Sequence, residues 1–256
     1  MGSVTHLSLV ATEVAAGRRA VLATVVRADR STPRRHGASM VVFANGQRQG
    51  TVGGGEMESR VVEAALEALI DGKPRLLTYR LVDPAAGDPG VCGGEMDVYV
   101  EPYMNEPNLV VIGAGHVGRS VVELAQWSGW HAVVWDDRVD QLTEFHDDVT
   151  VLSGPLSTAI ESVQIDSRSA IVLVTRNVEL DRRILPEVLA TSAGYIGLMG
   201  SARRWATTRQ LLLDDGLTES DLERICTPIG IDIGAETPVE IAISIMAEVL
   251  RTLGGR

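Results

Sequence analysis

From residue 109 onward the chain alternates short apolar runs with amphipathic ones: "LVVIG", "VGRSVVELAQWSG", "HAVVWDD", "DVTVLSG", "AIVLVT", "LDRRILPEVLAT" and "YIGLMG", then a long helical pattern from about Ala202. Continuous apolar strands that alternate with helices are covered on both faces, which requires a parallel sheet. The alternation restricts residues 108–256 to a doubly wound α/β domain. A last helix, "TPVEIAISIMAEVLRTL", closes the chain, with Thr237 as N-cap and Pro238 at its first position.

The first strand–helix junction of this half reads "VVIGAGHVGRS". Gly113 suits the tight turn, Gly115 lets a pyrophosphate approach the backbone, and Gly118 lets helix and strand pack closely. Free amides and the helix dipole favour an anion there. Asp136, at the end of the second strand, stands where a carboxylate takes a ribose hydroxyl. The pattern predicts a Rossmann-like domain that either binds a dinucleotide such as NAD(P) or another nucleotide, or serves only as a scaffold. Arg138 leaves the choice between NAD and NADP open, because Asp136 repels a 2′-phosphate. His116, between the second and third glycines, is either a surface residue of the first turn or a ligand contact.

The first half has another grammar. "SVTHLSLVATEVAAG" is spaced as a helix, with Ser3 as N-cap and Gly17 as stop. "AVLATVV" and "SMVVFA" are strand-like, and "ANGQ" reads as a hairpin turn. "EMESRVVEAALEALIDG" is an amphipathic helix opened by Gly53, Gly54 and Gly55; "RLLTYRL" and "MDVYVEPY" are further strands. The order predicts an α+β domain over residues 1–104, ended by the irregular "EPYMNEPN". The tetrapeptide G-G-E-M occurs twice here, in "TVGGGEME" and "GVCGGEMD". The first copy is either an anion nest or a tight strand-to-helix turn. The second places Cys92 before Gly93 and Gly94 in a Gly/Pro-rich loop, where neighbouring amides favour an accessible thiolate suited to a soft metal or to sulfur transfer.

The net charge of −11 argues against nucleic acid or an anionic membrane as partner. No segment approaches the roughly 20 apolar residues that span a bilayer, and the N-terminus lacks the pattern of a signal peptide. A cytoplasmic location is expected. The two cysteines, Cys92 and Cys226, form no C-x-x-C pair and the five histidines are scattered, which argues against structural zinc. Cys226, after a helix and before an expected buried strand, is taken as structural.

In order, "ATVVRADRSTPRRHGASMVV", "GTVGGGEMESRVVEAAL", "CGGEMDVYVEP", "VVIGAGHVGRSV", "GYIGLMGSARR" and "PIGIDIGAETPVEIAISIMAEVL" resemble the XdhC/CoxI family, accessory proteins for molybdenum hydroxylases such as xanthine dehydrogenase. The resemblance covers nearly the whole chain. It implies a homodimeric protein with an N-terminal cofactor-binding domain and a C-terminal Rossmann domain. Such proteins bind the molybdenum cofactor, protect it while a cysteine desulfurase supplies sulfur in exchange for a terminal oxo ligand, and deliver it to the apo-hydroxylase. On this reading Gly53, Gly54, Gly55 and Glu56 hold the phosphate or pterin edge, and Cys92, Gly93 and Gly94 bring a thiolate toward molybdenum. Arg34, Arg35 and His36 are either phosphate partners or a solvated loop. Two departures stand out: Glu56 occupies a place where some family branches carry cysteine, and "TRNVELD", with Arg176 and Val178, replaces a histidine-bearing segment.

The family reading makes the chain a maturation chaperone more than a catalyst. The alternative is an NAD(P)-dependent oxidoreductase, for which Cys92, His116 and Asp232 are candidate chemical groups; Asp232 is equally a turn former in "PIGIDIG". A third reading is a scaffold that recruits the desulfurase.

Overall fold

The computed structural model of the protein describes residues 4–80, 93–146 and 148–254. Ser3, Cys92 and the "DPAAGDPG" segment lie outside the described residues. The chain divides into two compact units, Met1–Asn105 and Glu106–Gly255.

The first unit contains α1 (Val4–Ala15), β1 (Ala20–Asp29), β2 (Ser39–Phe43), β3 (Arg48–Gly50), α2 (Gly55–Asp71), β4 (Arg75–Arg80) and β5 (Glu95–Tyr103). Its strands form one antiparallel sheet in the order β3-β2-β1-β5-β4. Alternate residues of β1 face opposite ways. Val21, Ala23 and Val25 join Met57, Val61, Ala65 and Ala68 of α2 in the larger core. Ala20 joins Val10 of α1 and Val41 in a smaller one. The "ANGQ" turn connects β2 to β3, with Gly46 at φ 78° and the Gln47 amide donating to Asn45 Oδ1 at 3.0 Å.

The second unit is α/β. Its sheet contains β6 (Asn108–Ile112), β7 (His131–Trp135), β8 (Thr150–Leu152), β9 (Ala170–Leu173), β10 (Tyr195–Leu198) and β11 (Ile225–Cys226). The strands are all parallel, in the order β11-β10-β9-β6-β7-β8. Chain order therefore reverses between β6 and β9, which opens a crevice at the carboxyl ends of those strands. The helices are α3 (His116–Trp127), α4 (Leu156–Glu161), α5 (Val178–Leu189), α6 (Ala202–Asp214), α7 (Glu219–Leu222) and α8 (Pro238–Leu253). Leu109 and Val111 pack toward α3 and α8, while Val110 and Ile112 pack toward α4, α5 and α6. Burial of both strand faces is the reason these strands read as unbroken apolar runs.

Two details differ from the sequence expectation. The strand expected after Cys226 ends at Cys226 itself, and Pro228 and Gly230 turn the chain toward α8. That turn is pinned from α8: Glu248 Oε2 accepts from the Gly230 amide and from the buried Tyr195 hydroxyl, each at 2.7 Å. Burial, first, and the Glu248 carboxylate, second, push the Tyr195 hydroxyl far above its ordinary pKa. The helical pattern from Ala202 stops at Asp214, with Gly216 at φ 98°, before the short α7. The Thr237–Pro238 start of α8 forms as expected, with Glu240 and Thr237 completing a reciprocal capping box.

The three fingerprint glycines have distinct roles. Gly113 adopts φ 118°, and a Cβ there would lie 2.7 Å from the Val174 carbonyl oxygen. A Cβ on Gly118 would overlap the Gly113 carbonyl, whereas one on Gly115 would meet nothing within 4 Å. Gly118→Ala is therefore expected to destabilise the Rossmann unit by about 1–3 kcal/mol through overpacking, while Gly115→Ala leaves stability nearly unchanged. Calorimetric unfolding of the two variants checks this; equal melting temperatures would contradict it.

Candidate functional site

The crevice between β6 and β9 holds a cleft of about 340 Å³. Gly113, Gly115, His116, Gly118 and Asp136 all line it, so the structure brings these sequence candidates together. Gly115 is the N-cap of α3 and no side chain caps that helix, so the first-turn amides face the cleft. His116 is exposed at the first position of α3. Asp232 is exposed elsewhere, accepting from the Gly234 amide at 3.2 Å as a turn former does.

Asp136 is 5% exposed. Its Oδ2 accepts from the Ala114 amide at 2.8 Å and from Arg138 Nη2 at 3.0 Å. Its Oδ1 accepts from the Arg138 amide at 2.9 Å and from Nε at 3.0 Å. Burial works against ionisation, but Arg138 and these amides outweigh it and hold the carboxyl below its ordinary range. Beside it, Arg176 grips Asp137 through two bonds of 2.7 and 2.9 Å, which lowers the Asp137 pKa to about 2. Under the same rim the fully buried Asp181 accepts from the Thr175 hydroxyl and from Arg204 at 2.6 and 2.8 Å. Arg204 also donates to the Thr175 carbonyl at 2.9 Å, so the loop after β9 is fixed from beneath.

In the first unit, pairing decides which loops meet. The β1–β5 register sets Asp29 opposite Glu95, and β1–β2 and β2–β3 set Thr24 opposite Ser39 and Met40 opposite Gly50. The end of β1, the start of β2, the end of β3 and the start of β5 therefore share one sheet edge. A Cβ on Gly94 would overlap the Ser31 carbonyl and lie 2.6 Å from the Asp29 oxygen. A Cβ on Gly53 would overlap the Met57 methyl and lie 3.0 Å from Pro33 Cγ. Both glycine turns thus close on the loop that carries Arg34, Arg35 and His36. Arg30, at its start, is the non-glycine residue with positive φ among the described residues, at 62°. Arg34, Arg35 and His36 are exposed, and no acidic partner engages them among the described residues.

The amides of the first turn are not free. Glu58 Oε1 accepts from Val52 at 3.1 Å, Gly53 at 3.3 Å and Gly54 at 2.9 Å, and from the Thr51 hydroxyl. Arg48 Nε lies 3.6 Å from its other oxygen. The amides of this strand-to-helix turn thus converge on an anion, and that anion is the protein's own carboxylate. Gly54, Gly55 and Gly93 are exposed with open space over their α-carbons, and Glu56 pairs with Arg60 at 2.6 Å.

Residues 109–249, more than half of the chain, match the family described as the XdhC Rossmann domain, and residues 13–80 match the XdhC and CoxI family. The chain belongs to the XdhC and CoxI family. An uncharacterized Escherichia coli relative, YqeB, is 36% identical over 234 residues, covering 90% of this chain and 43% of its own. The XdhC-family chain thus spans less than half the length of that relative. The molybdenum cofactor insertion chaperone PaoD of Escherichia coli is 25% identical over 264 residues, covering 91% of this chain and 83% of its own. A crystal structure of a xanthine dehydrogenase from Bacillus halodurans shares the fold, with a TM-score of 0.50 and 21% identity over 98% of this chain and 96% of that one.

Three participants of this XdhC-family chain were not found from sequence: Glu58, and the Asp181–Arg204 pair. A carboxylate in the first turns of a helix preceded by three glycines is a legible signal for Glu58, whose distance from Gly54 is one helical turn. Burial opposes its ionisation, yet the Thr51 hydroxyl and the amides of Gly53, Gly54 and Val52 win, and its pKa falls below the ordinary glutamate range. A lowered folded-state pKa contributes stability above the ordinary glutamate pKa, and that contribution is lost as the pH falls through the lowered value. Glu58→Ala, which strands buried amides, is expected to lose about 1–3 kcal/mol at pH 7. Thermal unfolding against pH should show wild type and variant converging in strong acid; a constant gap would refute the role of the charge.

Proposed function

We propose that this chain is a maturation protein that binds the molybdenum cofactor, holds it while its metal is sulfurated, and hands it to a molybdenum hydroxylase of the xanthine dehydrogenase type. The reading is carried by the meeting of both glycine turns and the Arg34–Arg35–His36 loop at one sheet edge. It is supported by family membership and by the relative named as a molybdenum cofactor insertion chaperone. In this proposal the N-terminal domain, residues 1–104, receives the cofactor and the Rossmann domain, residues 108–256, serves a nucleotide.

The donor set suits such cargo. Arg34, Arg35 and His36 offer cationic and N–H groups to a phosphate. Gly54, Gly55 and Gly93 leave space for a flat ring to approach the backbone, with the Glu58-braced turn as a rigid wall and Glu56 at its rim. Cys92, next to Gly93 and Gly94, supplies the soft ligand that molybdenum favours. A cysteine desulfurase is the partner that delivers sulfur. Homodimerisation belongs to the same proposal: Val239, Ile243 and Leu250 form an exposed apolar line on α8.

The cleft gives the second reading, an NAD(P)-dependent oxidoreductase, one specific support: open helix amides over a glycine loop. Its chemistry is thin. Asp136 and Asp137 are locked to arginines, which leaves the exposed His116 imidazole as the candidate proton-transfer group on the cleft wall. Binding is favoured over turnover.

For the test, wild type, Cys92→Ala and Cys226→Ala are purified from a host that makes the cofactor, and released molybdenum and oxidised pterin are assayed. Cys92→Ala is expected to lose most of its metal and pterin while Cys226→Ala, whose thiol is half-buried behind Glu248 and Tyr195, keeps them. Equal retention by both variants would sink the assignment of Cys92.

A further inference from the structure

The carboxylate that a Rossmann domain normally offers to a ribose diol is saturated in this protein. An ionised carboxylate has about four lone-pair sites. Asp136 gives them to the Ala114 amide, the Arg138 amide, Arg138 Nε and Arg138 Nη2, at 2.8 to 3.0 Å. A ribose hydroxyl therefore finds no acceptor at Asp136 unless the Arg138 guanidinium leaves. Next to it, Arg176 and Arg183 both converge on Asp137, the former at 2.7 Å and the latter at 3.5 Å. Two carboxylates against three guanidinium groups leave this end of the cleft with an excess positive charge. Arg138 and Arg176 line the cleft with side chains 41% and 42% exposed, so their charge is presented to a ligand and not spent in the core. Among the described residues, Arg138 Nη1 and Arg176 Nε donate to no partner.

From this arrangement we infer that the cleft selects a dinucleotide whose adenosine ribose carries a phosphate ester, of the NADP type, over its unphosphorylated counterpart, with Arg138 as the residue that sets the choice. Arg138 performs two tasks at once. It cancels the charge of Asp136, which otherwise repels a 2′-phosphate, and it keeps the diol-binding oxygens occupied. A planar guanidinium already fixed on one edge by a carboxylate loses little freedom when it meets a phosphate on its other edge. Discrimination against the unphosphorylated dinucleotide then comes from an element that excludes it as well as from one that attracts the competitor.

The inference rests on the cleft accepting a dinucleotide, and is independent of where the molybdenum cofactor sits. Titration calorimetry on the full chain, with NADP+ and NAD+ as the probes, tests it. Wild type is expected to bind NADP+ about tenfold or more tighter than NAD+, the scale of one charge-assisted phosphate contact, with the gap narrowing as salt is raised. Arg138→Ala should lose that preference and gain affinity for NAD+, because Asp136 is released. Arg138→Lys keeps the charge without the bidentate hold and should keep part of the preference. Gly115→Val, which fills the space over the pyrophosphate, should abolish both. Equal affinities in wild type, tighter NAD+, or an Arg138→Ala variant that weakens both ligands alike would overturn the assignment of selectivity. No binding of either probe would overturn the dinucleotide reading with it, while molybdenum and pterin retention would be untouched.

Discussion

The glycine-lined edge of the N-terminal unit depends on backbone meeting backbone where no side chain fits. Gly94 lies against the carbonyls of Asp29 and Ser31, and Gly53 lies against Met57 and Pro33. Any Cβ at Gly94 would drive the start of β5 away from the end of β1, although their register is fixed by pairing from Ala20 opposite Tyr103 through Asp29 opposite Glu95. The two G-G-E-M copies are thus not equivalent. The second is a close-packed approach of Gly94 to the start of the loop of cationic residues. The first is a helix entrance whose amides are satisfied by Glu58.

That internal carboxylate changes what the first turn contributes. An empty nest of amides binds anions; a nest filled by Glu58 is a rigid wall whose outer face, at Gly54 and Gly55, is free of side chains. In the proposed function phosphate recognition falls to Arg34, Arg35 and His36, which are exposed and carry no acidic partner among the described residues. The Rossmann unit shows the complementary arrangement. There the first turn of α3 has no side-chain cap, while the acidic residue after β7 is closed by Arg138 and the Ala114 amide. In each unit one polar group of the site is satisfied from within, the turn amides by Glu58 in the first and the Asp136 carboxylate by Arg138 in the second.

The architecture was legible where local pattern and burial coincide. Strands β6, β7, β9 and β10 are buried on both faces, so their sequences are continuous apolar runs and their positions follow from the sequence directly. The Thr237–Pro238 helix start and the Asn45–Gly46 turn were legible because capping and positive φ act within a few residues. The strand expected beyond Cys226 was not formed, because Ile229 and Ile231, apolar as a strand requires, are held in a turn by Glu248 and Ser244 from α8. The saturation of Asp136 was half legible: Arg138 was visible as a complication, but whether a guanidinium points at a carboxylate two residues away depends on rotamers that sequence does not state. The Asp181–Arg204 pair joins different helices, and the meeting of both glycine turns follows from sheet register, so neither has a local signal.

The central claim is that molybdenum cofactor rests on the N-terminal glycine edge. Hydrogen–deuterium exchange on the chain with and without bound cofactor tests it most directly. The account predicts slowed exchange in peptides that cover residues 30–38, 53–57 and 93–96, with little change around 113–118 and 136–138. Protection confined to the Rossmann glycine loop, with the N-terminal peptides unaltered, would contradict it.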